Sequence, residues 1–280
     1  MVCRLNNLTR AAERLHVAQP AISVAIQKLE EELGVSLFDR SQKQFMVTPE
    51  GKVFLARVEE ILNRAQDAQV EMAEYRELRK GAIKIGVPPM IGGYLFPHIF
   101  AGFRNMYPQL ELTVIEDGSL AIRDKLEREE MDLGIIIISQ PSPLIHTVAM
   151  TRGEIMLCLP PRHPLAGRTR VSFSELKDEP FILLKEDSYH RQIILQACRD
   201  HGFDPKIVLS SGQIETIKGL VAQGVGISFL ADFVVRKDPD IQVISVEQNL
   251  SIEIGLAWKR DKYLSKASQA FVNFAGTLVW

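Results

Sequence analysis

Cysteine is scarce, three residues in 280, and the three stand far apart at Cys3, Cys158 and Cys198. An odd number at such wide spacing excludes a disulfide framework and a cysteine-based zinc site. Core residues, or incidental thiols, in a reducing compartment are the expected role. Long apolar runs are missing too, since none approaches the roughly 20 residues that a membrane-spanning helix needs. The N-terminus carries Arg4, Asn6, Asn7 and Arg10 where a secretory signal would have its apolar centre. A cytoplasmic protein without membrane contact is expected. An excess of one charge is also absent: 33 Lys and Arg stand against 35 Asp and Glu, a net charge of −2. Any nucleic-acid surface must therefore be local rather than spread over the whole chain.

Chemistry-bearing motifs are equally sparse. There is no G-x-S-x-G elbow and no phosphate-binding loop. Gly86, Gly92 and Gly93 follow a strand-like run without the spacing of a dinucleotide fingerprint. His163, His190 and His201 have no partners spaced for metal or nucleophile chemistry. The reading is therefore no enzyme, no cofactor and no metal.

What is present is an ordinary globular composition, 46% hydrophobic and 24% charged. The length allows two or three domains. Residues 1–78 read as almost wholly helical, and 82–263 alternate between strand-like and helical runs. The change falls at Arg79-Lys80-Gly81. Such alternation implies an α/β architecture with mostly parallel sheets.

Residues 8–15 read as a short helix with Ala11, Ala12 and Leu15 on its apolar face and Thr9 as its cap. His16-Val17-Ala18 is a tight turn. A second helix starts near Gln19, with Pro20 in the first turn, where a missing N–H costs nothing. Ile22, Ile26, Leu29 and Leu33 form its buried stripe. Pro20, Ser23, Val24, Gln27 and Lys28 lie on the opposite face. This spacing fits a helix-turn-helix whose second helix enters the major groove. By itself it fits equally the solvated face of a helical bundle. In the first case Ser23 and Gln27 suit base edges or phosphates, Lys28 suits a phosphate, and Val24 suits a thymine methyl.

Five blocks occur in order: Ala11-Ala12-Glu13-Arg14-Leu15; Gln19-Pro20-Ala21-Ile22-Ser23; Leu29-Glu30-Glu31-Glu32-Leu33-Gly34-Val35; Leu37-Phe38-Asp39-Arg40; and Thr48-Pro49-Glu50-Gly51. Together they resemble the DNA-binding domain of LysR-type transcription regulators, and the resemblance continues through the rest of the chain. It implies an α+β multidomain protein. A winged helix-turn-helix (1–51) is followed by a long dimerisation helix (52–79) and a two-lobed, periplasmic-binding-protein-like α/β effector domain. The implied first lobe is 82–159 with 264–280, and the second is 160–263. Residues 37–48 would be the wing, with Arg40 and Lys43 against phosphates. For Arg40 an ion pair with Asp39 or a nearby glutamate is the alternative. Two departures stand out. Many relatives carry a basic or polar residue where this chain has Val24, and they begin with a longer first helix, of which Met1-Val2-Cys3-Arg4 reads as the tail.

Thr48 suits an N-cap, with Pro49 and Glu50 in the first turn after it. Phe54, Val58, Ile61, Ala65, Ala68, Met72 and Tyr75 then alternate at spacings of four and three, a heptad seam. Pairing between two chains, or packing of the helix on its own domain, would cover it. The resemblance implies a homodimer that assembles to a homotetramer on double-stranded promoter DNA, with RNA polymerase as a further partner.

Ligands in open α/β sheets bind beyond the C-terminal ends of strands, often at helix starts. That rule selects Pro89, Met90 and Ile91, then Gly118 and Ser119, then Ser139 and Gln140. In the second lobe it selects Ser188, Tyr189 and His190, then Gly212, Gln213 and Thr216. The resemblance places effector contacts in the same loops, although each residue also suits a plain turn or cap. Ser119, at a helix start, suits a carboxylate, so an organic acid is one expected effector. Pro88-Pro89-Met90 replaces a serine- or threonine-bearing loop of many relatives and points to a more apolar contact. A redox sensor of the same family would need two nearby second-lobe cysteines; Cys198 has no such neighbour and reads as structural.

Overall fold

Asn7, not Thr9, starts the second helix of the chain: its side-chain oxygen accepts from the N–H of Arg10 at 3.0 Å. In the computed structural model that helix, α2 (Leu8–Leu15), begins early enough for Leu8 to join the small core. Thr9 is thereby placed inside the first turn, exposed. The structure describes all residues except 6, 40–45, 77–80, 139–141, 237, 249 and 279–280, and of residues 4, 66–67, 70–71 and 73–76 the backbone only. The chain divides into two compact units, Met1–Gln69 and Val70–Trp280.

In the first unit a short α1 (Val2–Leu5) precedes α2, and α3 (Gln19–Leu33) follows the turn at His16. His16 sits in the left-handed region at φ 55° and ends α2, which turns the chain toward α3. Ala11 and Ala12 are buried against Ile22, and these small side chains let α2 and α3 cross closely. The expected stripe on α3 is graded: Ile22 is buried, Ile26 and Leu29 are half-buried, and Leu33 is exposed. Two short antiparallel strands follow, β1 (Phe38–Asp39) and β2 (Met46–Val47). The carboxylate of Glu30 accepts from the N–H groups of Leu37 and Phe38 at 2.8 and 3.1 Å, tying the hairpin to α3. Thr48 then caps α4 (Pro49–Arg76), with its Oγ1 accepting from Gly51 N–H at 3.0 Å.

The second unit carries one continuous hydrogen-bonded surface that turns from one lobe into the other. Lobe I holds β3 (Ala82–Val87), β4 (Glu111–Glu116), β5 (Leu133–Ile137), β12 (Ser251–Lys259) and the first part of β6 (Ile145–Leu159), in the order β4-β3-β5-β12-β6. β3 runs parallel to β4 and β5, and β12 runs antiparallel to β5 and β6. β5 is buried throughout, as its unbroken apolar run implies. Helices α5 (Pro89–Tyr94), α6 (Phe96–Met106), α7 (Ser119–Glu127) and α11 (Lys266–Ala275) complete this lobe. Phe103 of α6 meets Phe271 and Phe274 of α11 edge-on at 4.9 and 5.6 Å.

Lobe II holds β7 (Arg170–Val171), β8 (Pro180–Leu184), β9 (Lys206–Ser211), β10 (Ile227–Ala231), β11 (Gln242–Val246) and the end of β6. β8 runs parallel to β9 and β10, while β10 and β11 flank β6 antiparallel. Helices α8 (Tyr189–Asp200), α9 (Ile214–Ala222) and α10 (Asp232–Val235) and the 3-10 turn Phe173–Leu176 pack on this sheet.

The lobe boundaries differ from those expected at 159/160 and 263/264. β6 exchanges partners near Gly153: up to Glu154 it pairs with β12, and from Ile155 with β10 and β11. β12 therefore belongs to lobe I, and 155–159 to the lobe II sheet. The first half of β6 carries Thr147, Thr151 and Arg152 on a partly exposed strand, so no apolar run marked it in the sequence.

Candidate functional site

Helix α3 presents the face expected to meet DNA. Pro20, Val24, Gln27 and Lys28 stand at least partly open to solvent, Val24 by 50%. Ser23 is half-buried and accepts from Gln19 Nε2 at 3.1 Å, while Gln27 donates to Glu31 at 3.1 Å. Gln19 is exposed beside them at the start of the helix. The polar side chains of this face thus bond to one another along the helix, not inward to the core, and are open to a partner. Arg40 and Lys43 lie outside the described residues.

On α4, Phe54 and Val58 are half-buried, whereas Ile61, Ala65 and Met72 are exposed, Ile61 by 65% and Met72 by 56%. Ala68 lies on the same helix, and the side chain of Tyr75 is outside the described residues. Arg57 and Arg64 bracket Glu60 at 3.4 Å each on the flank, the solvated pattern of a helix whose seam faces elsewhere.

In the second unit the loops after β3, β4, β8 and β9 converge on a cavity of about 230 Å³ between the lobes. Of the residues expected to contact an effector, Pro89, Met90, Ile91, Gly118, Ser119, Ser188, Gly212 and Gln213 line it. Tyr189, His190 and Thr216 do not, and Ser139 and Gln140 lie outside the described residues. Apolar walls come from Pro88, Ile137, Leu184, Phe233 and Ile252. The wall also contains Glu116, Asp117, Asp187 and one base, Lys185. None of these charged residues was marked by the sequence. The strand-end rule stopped one to three positions from each, and nothing local told which loop side chain turned inward.

Ser119 is buried with its Oγ accepting from Ile137 N–H at 3.2 Å, so the hydroxyl braces α7 against β5. The start of α7 is met by Asp187 from the opposite lobe. Its carboxylate accepts from Gly118 N–H at 2.9 Å, and its backbone oxygen accepts from Leu120 N–H at 3.0 Å. A second bridge links the lobes on α5 and α9: Tyr94 donates to Glu215 at 2.6 Å and accepts from Lys218 at 3.3 Å, while Lys218 is held within its own lobe by Asp238 at 2.7 Å. Burial opposes the charge on Lys218, and its bonds to Asp238, Tyr94 and Glu215 outweigh that and hold its pKa above the ordinary lysine value.

Burial pushes the thiols of Cys158 and Cys198 up to about 12, so both stay protonated and unreactive near neutrality. Burial pushes His190 down, from 6.5 to about 4, and its Nε2 has no hydrogen-bond partner. The folded protein thus binds this proton less readily than the unfolded chain, and stability rises with pH. The contribution is complete above about pH 6.5 and is lost as the pH falls toward 4. That gap corresponds to about 3 kcal/mol. Urea unfolding at pH 7 and pH 4 should show the wild type losing about 3 kcal/mol more than a His190→Leu variant. Equal losses would mean that water reaches the ring in the folded state.

The first unit carries a helix-turn-helix with an exposed second helix beside a hairpin, and the second carries a lobed cavity of metabolite size, together the parts of a ligand-responsive DNA-binding protein. Residues 1–52 match the bacterial regulatory helix-turn-helix protein, lysR family, and residues 76–279 match the LysR substrate binding domain. The HTH-type transcriptional regulator YwbI of Bacillus subtilis is 33% identical over all of this chain and 94% of its own length. A full-length OxyR from Pseudomonas aeruginosa superposes with a TM-score of 0.71 at 28% identity, over 99% of this chain and 91% of that one. The effector-binding domain of QuiR, solved in complex with shikimate, gives 0.64 at 24% identity over 70% of this chain and 95% of its own. The chain belongs to the LysR family of transcriptional regulators. It is a DNA-binding regulator with an effector domain, and its relatives are regulators, not enzymes.

Proposed function

We propose that the chain acts in the cytoplasm as a homodimer paired through α4, reads a two-fold operator with α3, and binds a small molecule in the cavity between its lobes. The observation that carries this reading is the cavity itself, built from strand-end loops of both lobes, so that a ligand there has different contacts in open and closed states. Only such a difference lets a ligand shift an equilibrium. A shift in the lobes alters the angle between paired reading helices and hence the bend of the promoter. Two dimers make the tetramer, and RNA polymerase is met at the same promoter. Thr9, Gln19, Pro20, Ser23, Val24, Gln27 and Lys28 contact DNA, joined by Arg40 and Lys43 of the wing. The exposed Ile61 and Met72 support pairing through α4. An organic acid at the start of α7 would have to displace Asp187.

The test is operator binding as a function of salt. The wild type should protect an interrupted palindrome upstream of its own gene. Lys28→Ala should bind all operator variants more weakly by a similar factor. It should also flatten the plot of log affinity against log salt by about 0.9 for each phosphate no longer neutralised, about 2 for a dimer. An unchanged slope removes Lys28 from the phosphate contacts, and failure of the wild type to protect any promoter DNA overturns the reading.

A further inference from the structure

The start of α7 is an anion-seeking position on the cavity wall, because its N–H groups have no partner within the helix and the helix dipole favours negative charge there. The protein fills it with its own carboxylate, brought from 69 residues away on the other lobe. The approach depends on the absence of a side chain at Gly118. A Cβ there would stand 2.2 Å from the backbone oxygen of Asp187 and 2.7 Å from its Cγ. The other anion-holding group expected here, the Ser119 hydroxyl, is occupied with Ile137 N–H. Of the other charged residues on the wall, Asp117 is paired with Lys125 and Glu116 is matched in sign by Lys185, so it is the carboxylate of Asp187 that leaves the wall net negative toward a second anion.

We propose that Asp187 is a built-in occupant of the anion position at the start of α7, latching the two lobes together without a ligand and turning free carboxylates away from the cavity. The latch rests on the reading of this cavity as the effector site. It reverses the expected role of α7: the helix start selects against acids, and the open part of the cavity takes a neutral or amine-bearing molecule against its apolar walls. Anything that draws Asp187 away, or separates Gly118 from it, opens the lobes.

Amide hydrogen exchange on the full-length chain without DNA, in sodium acetate and in sodium chloride at equal ionic strength, tests this. In the wild type, exchange over residues 118–122 should be slow and the same in both salts. In Asp187→Ala it should rise at least about tenfold in chloride, which is about 1.4 kcal/mol of lost protection, and acetate should slow it again by filling the vacated position. Gly118→Ala keeps the carboxylate but spoils the approach, so it should show a similar rise that acetate does not reverse. The proposal is overturned by wild-type exchange that acetate slows, by a wild-type rate in either variant, or by an Asp187→Ala rate that acetate leaves unchanged. Operator protection is not involved, so a failure of the functional reading shows up separately in the salt titration.

Discussion

Gly51→Ala is expected to abolish operator protection while leaving the unfolding of the effector domain unchanged. Gly51 lies in the first turn of α4, where the helix leaves the wing. A Cβ there would stand 2.2 Å from the backbone oxygen of Leu37 and 2.8 Å from Cγ1 of Val47. A flexible side chain could yield, but the carbonyl cannot. Leu37 O accepts from Thr48 N–H at 3.0 Å, and the N–H groups of Leu37 and Phe38 are held by Glu30 of α3. The clash must therefore shift α4, the hairpin or α3 itself. Overpacking of this kind costs about 3 kcal/mol. Small domains have little stability to lose, and the buried apolar residues described in this unit are Ala11, Ala12, Ile22, Leu37 and Phe38. Footprinting and differential scanning calorimetry on the same preparation check this. The expected result is loss of protection with the effector-domain transition in place. Wild-type affinity would show that the α4 junction relaxes more easily than these distances allow.

The second large effect is expected in lobe II. Phe229 of β10 stacks on Phe173 with centroids 5.2 Å apart and planes 4° from parallel, and it touches Phe181 of β8 at 5.7 Å. The three rings are buried to within 1%. Phe229→Ala removes the middle ring, and the flanking rings sit on β8 and on the 3-10 turn, which cannot both close the gap. The expected cost is about 3–5 kcal/mol. For a unit of this size that is a fall of roughly 10 °C in the effector-domain Tm. Phe229→Leu should recover more than half of it. The reading unit should keep its own transition, because the chain divides at Gln69. A cost below about 1 kcal/mol would mean that the lobe repacks around the missing ring.

Much of the reading unit was legible because its signals are short-range. Pro20 in the first turn of α3, His16 at the turn and Thr48 as the cap of α4 all act within four residues of their partners. The same locality misplaced the start of α2. Thr9 and Asn7 are both good caps, and Leu8 decides between them by packing into the core around Ile22, which periodicity within α2 does not contain. In the effector domain β5 and β8 are apolar runs buried along almost their whole length. The first half of β6 is no such run, because it is half solvated and reads as polar.

The amino-acid sequence by itself determined the family, the helices of the first unit and most of the strand-end loops that wall the cavity. Each is written in side-chain types at fixed short intervals, the scale on which helix and strand periods and caps operate. Only the tertiary structure decided which strands share a lobe, since β6 changes partners between Glu154 and Ile155 without a break in its own backbone. Only the tertiary structure brought Asp187 to Gly118. That bond joins residues 69 positions apart and depends on how two sheets face one another, and no interval along the chain encodes the angle between them.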